Sequence, residues 1–361
     1  MRTIHRPLAA LIAGALILQS PAALAQASAA QAAGRTKPSP LAPGEIVAQA
    51  PEGDWAEIPP EDLLVMDLEP DAKGKPRRVV IQLMPAPFSK GWTGNIRKLV
   101  GARFWDGLSI NRVQDNYVVQ WGDGNAEDKA KARALPADLE VMPESQYETG
   151  VKVLEEEYFF AGEVVFAETP KTAKYRKQLT PKPSKEVQAR AKRLSRVQER
   201  DSYAEYVQFL GGWPLAVEGK YDKAKFWPVH CYGMVGVGRD MPPNTGTGAE
   251  LYVVIGHAPR HLDRNIALVG RVIEGIEHLS SLPRGTLALG FYATPEERTG
   301  IRSIRLGSEV EGLPAYEYLN TETESFAKYA DARANRRDDF FIRPAGGADI
   351  CNIPVPVRRV K

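Results

Sequence analysis

Ser109-Ile110-Asn111-Arg112-Val113-Gln114-Asp115-Asn116-Tyr117-Val118-Val119-Gln120-Trp121-Gly122-Asp123 holds most of two short apolar runs, 107–113 and 117–120, and leads into the turn Gly122-Asp123-Gly124. Working outward, residues 63–68 and 78–83 are apolar runs separated by the turn-forming Asp71-Ala72-Lys73-Gly74-Lys75-Pro76, the pattern of a hairpin. Between that hairpin and the central stretch, Trp92, Ile96 and Leu99 recur at helical spacing over 89–100, with Gly101 as the stop. Downstream, Leu251-Tyr252-Val253-Val254-Ile255 reads as a buried strand, 268–272 as another that precedes a helix over 274–281, and 301–306 as a further strand. Many short strands with few helices predict a mainly β protein built on a closed barrel.

The flanks differ in character. Residues 1–25 have the layout of an export signal: basic Arg2 and Arg6, an apolar run over 8–18, and Ala23-Leu24-Ala25 as a small-residue cleavage site. The apolar run is too short to span a bilayer, so no stable membrane insertion is expected after cleavage, and the expected compartment is the periplasm. Residues 26–60, rich in Ala, Pro, Gly and Ser, read as a flexible tether. Residues 171–200 hold 11 Lys or Arg against 2 Glu, and Val187, Ala191, Leu194 and Tyr206 outline an amphipathic helix after the cap Ser184. That stretch reads as a solvated helix whose charge is balanced elsewhere, with docking to lipid headgroups or an acidic client as the alternative. The tail ends in Ile353-Pro354-Val355-Pro356-Val357, where the prolines confine any strand to a sheet edge.

Charge and motif content exclude several functions. The chain carries 47 basic and 45 acidic residues; loss of Arg2 and Arg6 leaves 45 against 45, which gives no general attraction to nucleic acid. Gly233-Met234-Val235-Gly236-Val237-Gly238 is followed by Pro242-Pro243 where a phosphate-binding helix would have to begin. His257 and His261 have a zinc-like spacing with Asp263 beyond, but Pro259 between them opposes a helical pair, so neither a metal nor a cofactor is expected. No Gly-Xaa-Ser-Xaa-Gly turn marks a nucleophilic serine. Cys231 and Cys351 are equally consistent with a disulfide and with two buried thiols. Nothing in the residues speaks to oligomeric state.

The 109–123 stretch resembles the catalytic signature of the cyclophilins, Phe-His-Arg-Val, a spacer, Phe-Met, one residue, then Gln-Gly-Gly-Asp. Pro243-Asn244-Thr245-Gly246-Thr247-Gly248-Ala249-Glu250-Leu251-Tyr252 is similar to that family's Pro-Asn-Thr-Asn-Gly-Ser-Gln-Phe-Phe, with one extra residue. His261-Leu262-Asp263 and Val269-Gly270-Arg271-Val272 are similar to its Trp-Leu-Asp and Phe-Gly-Lys-Val. The resemblance implies an eight-stranded antiparallel closed barrel with two capping helices, laid over 61–123 and 230–310, with a large α/β insertion over 124–229 and a C-terminal extension over 311–361.

It also implies a peptidyl-prolyl cis-trans isomerase that acts on Xaa-Pro segments of exported proteins. Arg112 and Gln120 take the catalytic positions, and Tyr117, Val118, Glu250, Tyr252, His261 and Leu262 take the substrate-binding ones. Departures are concentrated in the pocket: Tyr117-Val118 stands for Phe-Met, Glu250 for Gln, His261 for Trp, and Ile266 for His. Smaller apolar area weakens proline binding, and Glu250 is expected to compete with substrate for Arg112. These departures and the insertion also suit a second reading, a module that holds a client or envelope protein without turnover.

Overall fold

Residues 63–68 and 79–83 are apolar except for Asp67 and Gln82 because both faces of their strands are covered. Leu64, Met66, Leu68, Val79, Ile81 and Leu83 point into one core, while Leu63 and Val80 face a second layer that contains Ile58 and Tyr316. The computed structural model describes residues 39–157, 184–198, 201–219 and 223–360. Its strands are β1 (Trp55–Ile58), β2 (Leu63–Leu68), β3 (Arg77–Leu83), β4 (Ser109–Val113), β5 (Val118–Gly122), β6 (Thr149–Gly150), β7 (Tyr206–Leu210) and β8 (Trp213–Glu218). They continue with β9 (Lys225–Pro228), β10 (Met234–Val237), β11 (Leu251–Val254), β12 (Leu268–Glu274), β13 (Ile301–Leu306), β14 (Tyr316–Leu319) and β15 (Val357–Arg359). The helices are α1 (Pro43–Ala48), α2 (Lys90–Gly101), α3 (Val151–Glu157), α4 (Lys185–Gln198), α5 (Glu277–Ser280) and α6 (Glu324–Ala334).

Eight strands form one antiparallel sheet in the order β13-β2-β3-β12-β10-β11-β5-β4. Its two edges meet: Ile110 N–H donates to Thr299 C=O at 2.9 Å and Ile301 N–H to Leu108 C=O at 2.8 Å, which closes the sheet into the expected barrel. Trp121, Val119, Val235, Val237, Leu251 and Val253 fill its interior. Helix α2 covers one end with Trp92, Ile96 and Leu99. The second capping helix is shorter than the sequence suggests, a single turn whose Leu279 reaches the core. Strand β12 persists to Glu274 and Gly275 takes φ +81°, so the helix begins only at Glu277.

The insertion contributes a four-stranded sheet, β6-β9-β8-β7, and the ends of the chain a three-stranded one, β1-β14-β15. They share one core. Trp213, Leu215, Val217, Phe226 and Trp227 pack with Leu194 and Val197 of α4 and with Phe326, Ala327 and Ala330 of α6. The barrel joins through Met84, Met234 and Leu268. Arg271 of β12 is also buried there: it donates to Gln82 Oε1 at 2.9 Å and to Gly212 C=O at 2.7 Å, and its guanidinium lies 4.5 Å from the Trp213 ring centre.

Two expectations change. Residues 41–60, assigned to the tether, form α1 and β1: Ile46 and Val47 pack on the shared core, and β1 pairs with β14 from Trp55↔Leu319 to Ile58↔Tyr316. The export signal and residues 26–38 lie outside the described residues, as does half of the basic stretch. Tyr206 is not on the helix face; it opens strand β7, opposite Val217. Helix α4 is as basic as expected, and part of its charge is balanced on another element, since Arg193 pairs with Glu324 of α6 at 2.8 Å. Cys231 and Cys351 are joined in a disulfide, with Cα atoms 5.0 Å apart. No helix of the described residues is long and apolar enough to cross a membrane.

Candidate active site

Strand register lays the site across the outer wall of the barrel. Arg112 on β4 faces Gln120 on β5, Gln120 faces Tyr252 on β11, and Tyr252 faces Gly236 on β10, so one row runs over four strands. Alternate residues on β5 and β11 point inward, which is why Val119, Trp121 and Val253 belong to the core and Gln120 and Tyr252 do not. Gly236 is required at the end of the row: a Cβ there would come within 2.3 Å of the Tyr252 ring and hydroxyl. Next to the row, Val118, Tyr252 and Val254 form an apolar cluster separate from the barrel core, with Tyr117 and Ile266 packed against it.

The Arg112 guanidinium is fixed from three sides. Its Nε donates to Leu289 C=O at 2.7 Å, one terminal nitrogen donates to Gln120 Oε1 at 3.2 Å, and the other donates to Gln114 Oε1. Tyr117 and Phe291 flank it with ring centres at 5.6 and 5.4 Å. Partial burial holds its pKa below that of a free arginine, with Tyr117 acting in the opposite sense. A guanidinium has five N–H groups, so two remain for a bound peptide. The loop carrying Leu289 approaches closely because Gly290 takes φ +80°, and a Cβ there would lie 2.6 Å from Gln114 Cα. Leu287 and Leu289 are exposed and make this rim apolar.

Glu250 lies beside Gln120, whose Nε2 donates to it at 3.4 Å, and Arg112 is not among its hydrogen-bond or ion-pair partners within the described residues. Burial pushes its carboxyl up to about 7, against the pull of hydrogen bonds from Gln120 and the Asp123 backbone. The competition expected between Glu250 and substrate for Arg112 is therefore weakened, because the guanidinium is engaged by Leu289, Gln120 and Gln114 instead, and below about 7 the acid is mostly neutral.

The structure thus brings Arg112, Gln120, Glu250, Tyr117, Val118 and Tyr252 together. His261 and Leu262 sit on the one-turn helix Arg260–Leu262; His261 is exposed, and its carbonyl accepts from Asn265. Their links to the apolar cluster are indirect: Leu262 C=O accepts from the N–H of Ile266 at 3.1 Å, and the neighbouring Asp263 is bonded to His230, the histidine that meets the Tyr252 hydroxyl. Sequence reasoning missed His230, Gln114, Leu289 and Phe291. Gln114 is two residues from Arg112, a short-range cue that was available; the others reach the site from far along the chain. Among the described residues no cluster of His, Cys, Asp or Glu is placed to hold a metal.

The family model described as cyclophilin type peptidyl-prolyl cis-trans isomerase/CLD matches residues 75–305. Among solved structures the chain is similar to the cyclophilin AquaCyp293 from Hirschia baltica, at 19% identity over 85% of this chain and 94% of that one, with a TM-score of 0.54. It is more distantly similar to a cyclophilin type peptidyl-prolyl cis-trans isomerase from Cryptosporidium parvum, crystallised in the presence of the dipeptide ala-pro. That likeness has 8% identity, 67% and 98% coverage, and a TM-score of 0.34. No curated protein matches the chain in sequence.

Proposed function

The chain belongs to the cyclophilin-type peptidyl-prolyl cis-trans isomerases, and from that premise we propose that Arg112 is the group that stabilises the twisted prolyl amide, with Gln120 holding it in place. Resonance gives the Xaa-Pro C–N bond partial double-bond character, and the uncatalysed barrier is about 20 kcal/mol. No bond is made or broken on crossing it. As the amide twists, its nitrogen becomes pyramidal and regains a lone pair, and an N–H aimed at that nitrogen binds the twisted form better than either planar form. The observation that carries this reading is the row Arg112–Gln120–Tyr252 with the guanidinium immobilised by three acceptors. Such a donor needs no reorganisation at the moment of reaction.

Tyr117, Val118 and Tyr252 receive the proline ring, and His261 and Leu262 border that pocket. An apolar recess removes water from the amide, and water would otherwise stabilise its planar, more polar form. Glu250 replaces an amide side chain and serves as a hydrogen-bonding neighbour of Gln120. The substrates we assign are Xaa-Pro segments of exported proteins, in the periplasm. Two features support that compartment: the export-type N-terminus and the Cys231–Cys351 disulfide, a bond that persists where thiols are oxidised.

Exchange NMR on an Xaa-Pro peptide tests the assignment. The protein should accelerate cis-trans exchange, and Arg112→Ala should lower the saturated rate about a hundred-fold with the fold intact. Unchanged acceleration in Arg112→Ala would remove the arginine from the mechanism. Peptide binding without any acceleration would turn the reading into that of a binding module.

A further inference from the structure

Tyr252 is anchored by its hydroxyl rather than by packing alone. The strand position opposite it is Gly236, which offers no side chain to fix the tilt of the ring. Its Oη lies 2.9 Å from His230 Nε2. On the other side of that ring, Nδ1–H donates to Asp263 Oδ1 at 2.8 Å, and the His230 backbone N–H donates to the same oxygen at 3.0 Å. The second oxygen of Asp263 accepts from Arg260 Nε at 2.6 Å. Arg260 then closes a two-pronged pair with Asp201, at 2.5 and 3.2 Å, under the ring of Tyr203 at 5.0 Å. His230, Asp263, Arg260 and Tyr252 are all buried, and the Asp201 side chain is 1% exposed.

Asp201 and Tyr203 belong to the insertion, whereas the other members belong to the barrel. The insertion therefore supplies the terminal charge of a buried chain that ends on the wall of the proline pocket. Each side-chain nitrogen of Arg260 and His230 has a hydrogen-bond partner, and in a dry interior each bond polarises the next. Removing the Asp201 carboxylate leaves the Arg260 guanidinium sharing Asp263 alone, which weakens the hold of Asp263 on His230 and of His230 on the tyrosine.

We propose that Asp201 is a positioning residue for substrate binding: through Arg260, Asp263 and His230 it holds the Tyr252 ring where the proline docks, so that the insertion sets the affinity for Xaa-Pro peptides. This rests on reading Tyr252 as a wall of that pocket. A positioning role predicts uniform weakening of ground state and transition state, seen as a loss of affinity with little change in the saturated rate.

The test is a titration of the full chain with an Ala-Pro tetrapeptide, read by NMR for both the dissociation constant and the exchange rate at saturation. Asp201→Asn should raise the dissociation constant about five-fold or more, the lower end of typical coupling between sites. The saturated exchange rate should stay within about two-fold. Tyr252→Phe, which removes only the last hydroxyl, should weaken binding by a similar factor, and adding Asp201→Asn to it should have no further effect. If Asp201→Asn does not fold, Tyr252→Phe tests the chain from its other end. Wild-type affinity in Tyr252→Phe, or an Asp201→Asn effect that persists undiminished in that background, would overturn the proposal. Affinity is read independently of turnover, so an inactive Arg112 site would disprove the catalytic assignment without obscuring this outcome.

Discussion

Glu250 makes the protein sensitive to pH near neutrality. Its carboxyl is shifted from 4.5 up to about 7 because burial disfavours the charge. The folded state therefore binds this proton more tightly than the unfolded chain. The stabilisation is complete below about 4.5 and is lost as pH rises to about 7, the reverse of a salt-bridged carboxylate. At 1.36 kcal/mol per unit the loss is at most about 3 kcal/mol, and less in practice because the side chain is partly open to water. Glu250→Gln should flatten this part of the stability profile, measured by denaturant titration at pH 5 and pH 8. A slope that survives in Glu250→Gln would assign the dependence to another group. Below about 7 the neutral acid can donate a hydrogen bond as an amide does, so activity in wild type and variant should agree at low pH and diverge above neutrality.

At the scale of elements, the site is a product of register. Arg112, Gln120 and Tyr252 are 8 and 132 residues apart in sequence and become neighbours because β4, β5 and β11 pair antiparallel. A slip by one residue would turn all three into the core. Strand β10 contributes by omission, since Gly236 leaves the volume that Tyr252 occupies. Gly236→Ala should force the tyrosine outward, cost about 1–3 kcal/mol of stability as overpacking does, and weaken peptide binding. Thermal melting and the same peptide titration check both effects. Wild-type affinity would show that the ring has room to yield.

At the scale of the whole molecule, the barrel, insertion and chain ends from residue 41 onward form one compact unit. Arg271 illustrates the junction: burial lowers its pKa to about 10, and it has no carboxylate partner among the described residues. It is held instead by Gln82, Gly212 and the rings of Trp213 and Tyr318. The Cys231–Cys351 bond pins the C-terminal extension beside His230, across 120 residues. Closing so long a loop restricts the unfolded chain strongly, so Cys351→Ser should destabilise the protein by about 2–5 kcal/mol, visible as a melting temperature lower by several degrees. An unchanged melting temperature would mean that the shared core alone fastens the extension.

What the sequence determined by itself was whatever short-range patterns encode. Alternation and turn residues gave the strands of the barrel and helical spacing gave α2, whereas Arg112 and Gln120 were singled out by the resemblance of the 109–123 stretch to a known family, and a single hairpin brings them together. Resemblance supplied the rest of the pocket. Tertiary structure alone decided the pairing of Cys231 with Cys351, the participation of 41–60, and the chain from Asp201 to Tyr252. Residues 41–60 looked like a tether because their few apolar groups cannot sustain a helix or strand in isolation; α6 and β14 supply the missing partners. His230 meets residues 22 and 33 positions away, and Arg260 meets one 59 positions away. Contacts of that range leave no periodicity in the chain, because they are chosen by packing and charge pairing only after the strands have set which surfaces face each other.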